Sequence, residues 1–197
     1  MEGHIRGFPL VIGVVVTLES DIEADLVRDA RRGDAVAVAR LFDVCWPDAW
    51  RVAVGLTGDA AAADDVAQEG FLKAMRSLHG FDGRRPFRVW LHRIVANEGR
   101  DHQRRERRRG QLQTQLSDQP TPAEMSAEVP GLTEALLDLS ADQRAVLFLH
   151  FWVGHTVDEV GVVLGVPTGT VRSRLGRAMH TLRARPDLQA IARSSDV

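Results

Sequence analysis

From about residue 20 onward the apolar residues recur at helical spacing, and no sustained strict alternation appears among them. Ser20 and Glu23 have the spacing of a capping box, opening a helix with Ile22 and Leu26 on one face. Gly33-Asp34 breaks that helix. Val38, Leu41, Phe42 and Cys45 then follow at i, i+3, i+4 and i+7, and Pro47 is placed to start another helix running towards Gly58. Asp59 can cap the next, whose apolar face is Val66, Phe71, Ala74, Met75 and Leu78. Gly80, Gly83 and Pro86 mark a loop. A long helix then buries Phe87, Trp90, Leu91, Ile94 and Val95 and ends in a dense run of arginines.

Between Gly110 and Gly131 the periodicity lapses into Gln, Ser, Thr and three prolines, Pro120, Pro122 and Pro130, the composition of a flexible linker. Helical spacing resumes near Leu132. Ser140 and Gln143 form a second capping-box pair, ahead of Val146, Leu149 and Val153. Thr156 and Glu159 form a third, ahead of Val157, Val160, Gly161 and Leu164. Gly165-Val166-Pro167 makes a tight turn, and Thr168 can cap a last helix burying Val171, Leu175, Ala178 and Leu182. The expected fold is therefore all-α. It consists of a helical bundle at 20–109, a linker at 110–131 and a smaller helical domain at 132–186. Residues 1–19 form an N-terminal extension expected to be disordered, and 187–197 a C-terminal tail.

Composition adds little until the charge is mapped. The net charge is -2, but acids crowd Glu19 to Glu69 while arginines crowd Arg84 to Arg109 and Arg172 to Arg185; Lys73 is the only lysine. Cys45 is the only cysteine and no histidine has metal-ligand spacing with it, so neither a disulfide within the chain nor a structural zinc site is expected. The longest apolar run, Leu10 to Leu18, is far short of the roughly 20 residues that span a bilayer. No membrane insertion is expected, and the expected compartment is the cytoplasm.

Two constellations carry chemistry. A short helix, a Gly-containing turn and a second helix with a polar outer face form a helix-turn-helix, with Gly161 and Gly165 where the helices approach. The second helix would enter a major groove with Thr168, Gly169, Thr170, Arg172, Ser173 and Arg174 at its leading end and Arg177 a turn later. Arginine pairs bidentately with guanine, and Ser and Thr contact bases or phosphates. In the bundle, Phe81, Phe87 and Trp90 interleave with Arg84, Arg85, Arg88, Arg93 and Arg100, a pairing suited to single-stranded nucleic acid. Phe87 and Trp90 fall on the apolar stripe and read as core, which leaves the loop residues Phe81, Arg84 and Arg85 for base contact. Arg104 to Arg109 read as a phosphate-contacting patch. The acids Asp64 and Asp65 are explained by a helix N-terminus alone. Nothing resembles a phosphate loop, a nucleophile elbow or a metal-binding carboxylate pair, and no tyrosine is present. No enzyme activity, metal or cofactor is expected.

Three stretches together resemble region 2 of extracytoplasmic-function (ECF) sigma factors of bacterial RNA polymerase. They are Asp64-Asp65-Val66-Ala67-Gln68-Glu69-Gly70-Phe71, Phe81-Asp82-Gly83, and Trp90-Leu91-His92-Arg93-Ile94-Val95-Ala96-Asn97. Leu139-Ser140-Ala141-Asp142-Gln143-Arg144-Ala145-Val146-Leu147 and Gly169-Thr170-Val171-Arg172-Ser173-Arg174-Leu175 resemble their region 4. The resemblance implies a sigma factor. Region 2 would bind the β′ clamp helices of core polymerase through Asp64, Asp65, Gln68, Glu69 and Lys73. It would also melt and read the minus-ten element with Phe81, Arg84, Arg85, Arg88, Arg93, Asn97, Arg100, Arg104 and Arg105. Region 4 would bind the duplex minus-thirty-five element and the β flap, and an anti-sigma partner is implied. His155-Thr156-Val157, Gly161 and Pro167-Thr168 depart from the usual pattern, which bears on promoter sequence and domain stability. The alternative reading is a stand-alone helix-turn-helix regulator of duplex operators.

Overall fold

The computed structural model describes residues 22–112 and 132–185, so the N-terminal extension, most of the linker and the C-terminal tail lie outside the described residues. Among the described residues there are eight α-helices and no strand. The first, α1, covers 22–31; then come α2 (Ala35–Thr57), α3 (Ala60–Arg76) and, after a 3-10 turn at Leu78–Gly80, α4 (Phe87–Leu112). The second set is α5 (Leu132–Leu137), α6 (Ala141–Leu147), a π-helical segment (Phe148–Trp152), α7 (Val157–Leu164) and α8 (Thr168–Arg183). No described helix is long and apolar enough to cross a membrane.

In the bundle, α2 buries Leu41, Cys45, Ala49, Val52 and Leu56, spaced by three or four residues. Pro47 does not begin a new helix; it sits inside α2. A mid-helix proline removes one backbone bond. Here the single buried stripe runs through it, with Cys45 on one side and Ala49 on the other, so packing holds the helix continuous. Asp34 caps α2, accepting from the amides of Val36 (2.8 Å) and Ala37 (3.3 Å), and Gly58 ends it at φ 74°. Asp59 caps α3 as the spacing predicts, accepting from Ala62 at 2.8 Å.

The helices α3 and α4 cross at Gly70, where a Cβ would lie 2.7 Å from Val95 Cγ2. Only glycine leaves room for that approach, which brings the acidic face of α3 beside the basic end of α4. Arg31 of α1 clasps the turn below, donating to the carbonyls of Leu78 (3.1 Å) and Phe81. The carboxylate of Glu23, whose expected partner Ser20 lies outside the described residues, accepts from Arg88 Nε (2.9 Å) and Nη2 (2.7 Å).

The two later capping boxes form as predicted: Ser140 with Gln143, and Thr156 with Glu159. The single helix expected through Val146, Leu149 and Val153 switches instead to π geometry at Phe148, and the Val153 amide reaches back to the Phe148 carbonyl at 3.0 Å. The extra residue per turn leaves Phe148 and Leu149 buried and Phe151 exposed.

The two halves are packed against each other. The helix α6 and the π segment lie on α2, and α7 lies on α4. Gly55 permits this, since a Cβ there would stand 2.9 Å from Phe148 Cβ. Across the same seam Arg100 donates to the carbonyl of Leu164, and His92 Nδ1 lies 2.7 Å from His155 Nε2. Buried residues of both halves form one continuous apolar cluster.

Candidate nucleic-acid interface

The helix-turn-helix forms from local rules. Gly165, at φ 62°, ends α7, and the Val166 amide returns to the Gly161 carbonyl at 2.9 Å. Space beside Gly161 is short, a Cβ there lying 2.9 Å from the Val166 carbonyl oxygen. Pro167, not Thr168, occupies the cap position of α8. Its ring fixes the extended entry, its carbonyl takes the Thr170 amide at 2.8 Å, and the Thr168 hydroxyl donates to Asp158 of α7 instead.

Val171 and Ala178 face the core, which turns Gly169, Arg172, Ser173 and Arg177 outward. Arg177 donates to the Ser173 hydroxyl at 2.8 Å, bracing the outer face. Thr168 and Thr170 are half-buried beside them. Arg174 points the other way. Its guanidinium is paired with Asp142 of α6 at 2.5 Å, and its side chain is mostly covered. The outward face of α8 therefore rests on Arg172, Ser173 and Arg177.

The aromatic-basic constellation divides differently from its sequence reading. Phe81 is 9% exposed; its ring packs edge-on to Phe87 (5.6 Å) and tilted against Trp90 (5.2 Å), with the Arg31 guanidinium 5.7 Å above it. It forms the packed wall of the loop, because its ring buries more area against Phe87 and Trp90 of α4 than it would alone. Arg84 and Arg85 are exposed on the loop, held by Gly83 at φ 70° and by Asp82, which accepts from the Arg84 amide at 3.0 Å. They line a cleft with Phe81, Asp82, Val89, Trp90 and Arg93, to which Val162 of α7 also contributes. Arg93 and Asn97 are exposed further along α4, as are Arg104 and Arg105, with Arg104 paired to Asp101 at 3.1 Å. Arg88 is engaged with Glu23. Arg100, half-buried and held to Leu164, has its guanidinium pKa pushed down from the usual range by burial.

On the other side of α4 lies a second groove, between α3 and the basic end of α4. Asp65, Gln68, Glu69 and Leu72 follow one another along it at i, i+3, i+4 and i+7. Asp64 is exposed beside them, Glu69 reaches Arg76 at 3.4 Å, and Lys73 is tied to the buried Glu98 at 2.6 Å. Leu72 is 43% exposed among these polar groups. It was readable in the sequence as a leucine off the Val66–Phe71–Ala74 stripe, and sequence reasoning missed it. It also missed Val162, Arg100's contact with Leu164 and the two histidines, because each gains its meaning from the packing of one half on the other. No cluster of three or more potential metal ligands occurs among the described residues.

Comparison with known proteins agrees with this geometry. The family description Sigma-70 region 2 matches residues 41–109, and Sigma-70, region 4 matches 135–184. The chain is 36% identical over 164 residues to the ECF RNA polymerase sigma factor SigL of Mycobacterium tuberculosis, covering 80% of this chain and 93% of that protein. It is 26% identical over 173 residues to the ECF RNA polymerase sigma factor SigW of Bacillus subtilis, covering 80% and 92%. Among solved structures, the sigma factor RpoE of Bartonella quintana, in complex with the anti-sigma factor NepR, superposes with a TM-score of 0.66 at 25% identity, covering 74% of this chain and 94% of that one. CnrH, in complex with the cytosolic domain of CnrY, superposes with a TM-score of 0.64 at 28% identity, covering 83% and 96%.

Proposed function

The chain belongs to the ECF family of RNA polymerase sigma factors, proteins that direct promoter-specific transcription initiation, and from that premise we propose a division of labour among its surfaces. Residues 20–109 act as region 2 and 132–186 as region 4, with 110–131 as the tether between them. The acidic stripe of α3, Asp64, Asp65, Gln68 and Glu69 with Leu72 in its line, docks on the β′ clamp helices. Carboxylates steer the approach and the leucine supplies apolar area at the contact. Lys73 takes part indirectly, tying α3 to α4 through Glu98 at 2.6 Å.

The cleft of Arg84, Arg85, Trp90 and Arg93 receives non-template bases of the minus-ten element, with Asn97, Arg104 and Arg105 along the strand's path. Phe81 shapes that cleft from behind. Arg172, Ser173 and Arg177 enter the major groove at the minus-thirty-five element, with Gly169 allowing close approach of the backbone. Neither site need bind free DNA tightly, since docking on one polymerase makes the second contact intramolecular. One structural neighbour is a sigma factor in complex with an anti-sigma factor, and a second, CnrH, is in complex with the cytosolic domain of CnrY, which supports a partner protein for this chain.

The observation that carries the reading is the opposed placement of charge: an outward acid–leucine stripe on α3 and an outward basic edge on α8. A stand-alone operator-binding regulator has no use for the first of these. The test is the double variant Asp64→Arg/Asp65→Arg. Both side chains are solvent-exposed, so the fold is expected to be unchanged by circular dichroism. Affinity for core RNA polymerase, read by biolayer interferometry, is expected to fall at least about tenfold, or about 1.4 kcal/mol. Unchanged affinity would remove α3 from the polymerase contact.

A further inference from the structure

The seam between the two halves contains a polar element that neither DNA binding nor polymerase binding uses. His92 of α4 is 0% exposed and His155, in the loop before α7, is 3% exposed. Their rings meet at 5.0 Å between centroids, with Nδ1 of His92 2.7 Å from Nε2 of His155. A hydrogen bond between two ring nitrogens needs one of them protonated and the other bare. His92 Nε2 is buried and has no hydrogen-bond partner. We propose that the His92–His155 pair is a proton-sensitive latch: it holds regions 2 and 4 together near neutral pH and releases them on mild acidification.

The surroundings fix the sign. On α7, the Glu159 carboxylate stands 3.7 Å from His155 Nδ1 and favours a charged His155, as does Asp48 of α2 more distantly. On α4, Arg88 opposes charge on both rings, while Glu23 of α1 takes up two of its donors. His150 of the π segment spends Nδ1–H on the His155 carbonyl at 2.8 Å. Cys45 of α2 stays a neutral thiol, its pKa pushed up to about 12 by burial. Burial is the largest influence on both imidazoles and lowers both pKa values, that of His92 well below its usual range.

A protonated His155 can therefore point Nδ1–H at Glu159 and donate Nε2–H to the bare Nδ1 of His92, whose own N–H is then Nε2–H. A second proton, on Nδ1 of His92, destroys the hydrogen bond and sets two cations against each other. Separating the halves exposes both rings to water, where histidine titrates near pH ~6.5. A group whose pKa is depressed in the closed form stabilises that form above its free value. That contribution is lost as the pH falls below about 6.5.

The consequence for DNA rests on the minus-ten reading above. In the closed form Val162 lines the cleft and Arg100 is occupied by the Leu164 carbonyl, so opening frees both.

The test is small-angle X-ray scattering on the full-length protein, without DNA or polymerase, from about pH 8 to about pH 5.5, above the range where most carboxylates titrate. The wild type is expected to hold a constant radius of gyration down to about pH 6.5 and to expand below it, with helical content unchanged by circular dichroism. The variant His92→Leu/His155→Leu can take up neither proton and His92→Gln cannot take up the second, the one that sets two cations together, so both are expected to stay compact throughout. The glutamine variant retains a donor for His155 should the leucine pair fail to fold. A wild type that does not expand, or a folded His92→Gln protein that expands as the wild type does, overturns the latch. Either result leaves the polymerase and promoter assignments untouched.

Discussion

Arg172→Ala is expected to weaken binding to a duplex minus-thirty-five element by about 5- to 150-fold, the equivalent of about 1–3 kcal/mol for a lost bidentate base contact. The urea unfolding midpoint should stay where it is, because the side chain lies outside the packed face of α8. Arg174→Ala, two residues on, is expected to behave in the opposite way. Its guanidinium pairs with Asp142 and its stem is covered by the domain. The loss should appear first as about 1 kcal/mol of stability, small because Asp142 is itself largely in water. Measured side by side, DNA affinity and urea midpoint separate the two arginines. Equal losses of DNA affinity with no loss of stability in either variant would mean that α8 presents a different face from the one described.

Arg88→Ala is expected to act on the fold. Glu23 is 2% exposed and its Oε1 accepts two bonds from Arg88, whose side chain is 25% exposed. Removing the arginine strands a buried carboxylate, for which a cost of about 3 kcal/mol is the expected order. Replacing both partners by apolar residues, Glu23→Leu/Arg88→Met, removes the stranded charge and should recover most of that loss. Denaturant unfolding of the two variants checks the pair. If Arg88→Ala unfolds at the wild-type midpoint yet loses minus-ten binding, Arg88 faces DNA after all. The sequence reading placed it there because it interleaves with Phe87 and Trp90 and because of the resemblance to region 2; α1, which supplies Glu23, is what redirects it.

The same contrast runs through the molecule. Capping boxes, the Gly165 turn and the apolar stripes of α3 and α8 obey rules spanning three or four residues, and each is legible in the sequence. Pro47 misled because a local breaker was weighed without the buried stripe on both sides of it. Phe81 is more enclosed than its loop position suggests, since two aromatic neighbours and Arg31 pack on it, although it still lines the cleft. Val89, His92 and Ala96 were absent from the expected core of α4 for a simpler reason. One helix face was read, while α4 is covered on a further side by α7. Among the candidate site residues, the outward edge of α8 follows from helix phase alone, and the exposed arginines of the loop follow from the Gly80, Gly83 and Pro86 breakers around them. Arg88, Arg100 and Arg174 do not, because their partners lie 65, 64 and 32 residues away in sequence.

The central claim, that this chain directs initiation from two surfaces on one polymerase, is tested most directly by run-off transcription with purified core RNA polymerase. Templates would be genomic fragments including the gene's own upstream region. Discrete transcripts that require the chain, and that fall sharply with Arg172→Ala and with Asp64→Arg/Asp65→Arg, are the predicted result. No chain-dependent transcript, together with tight binding of the protein alone to a duplex operator, would contradict it.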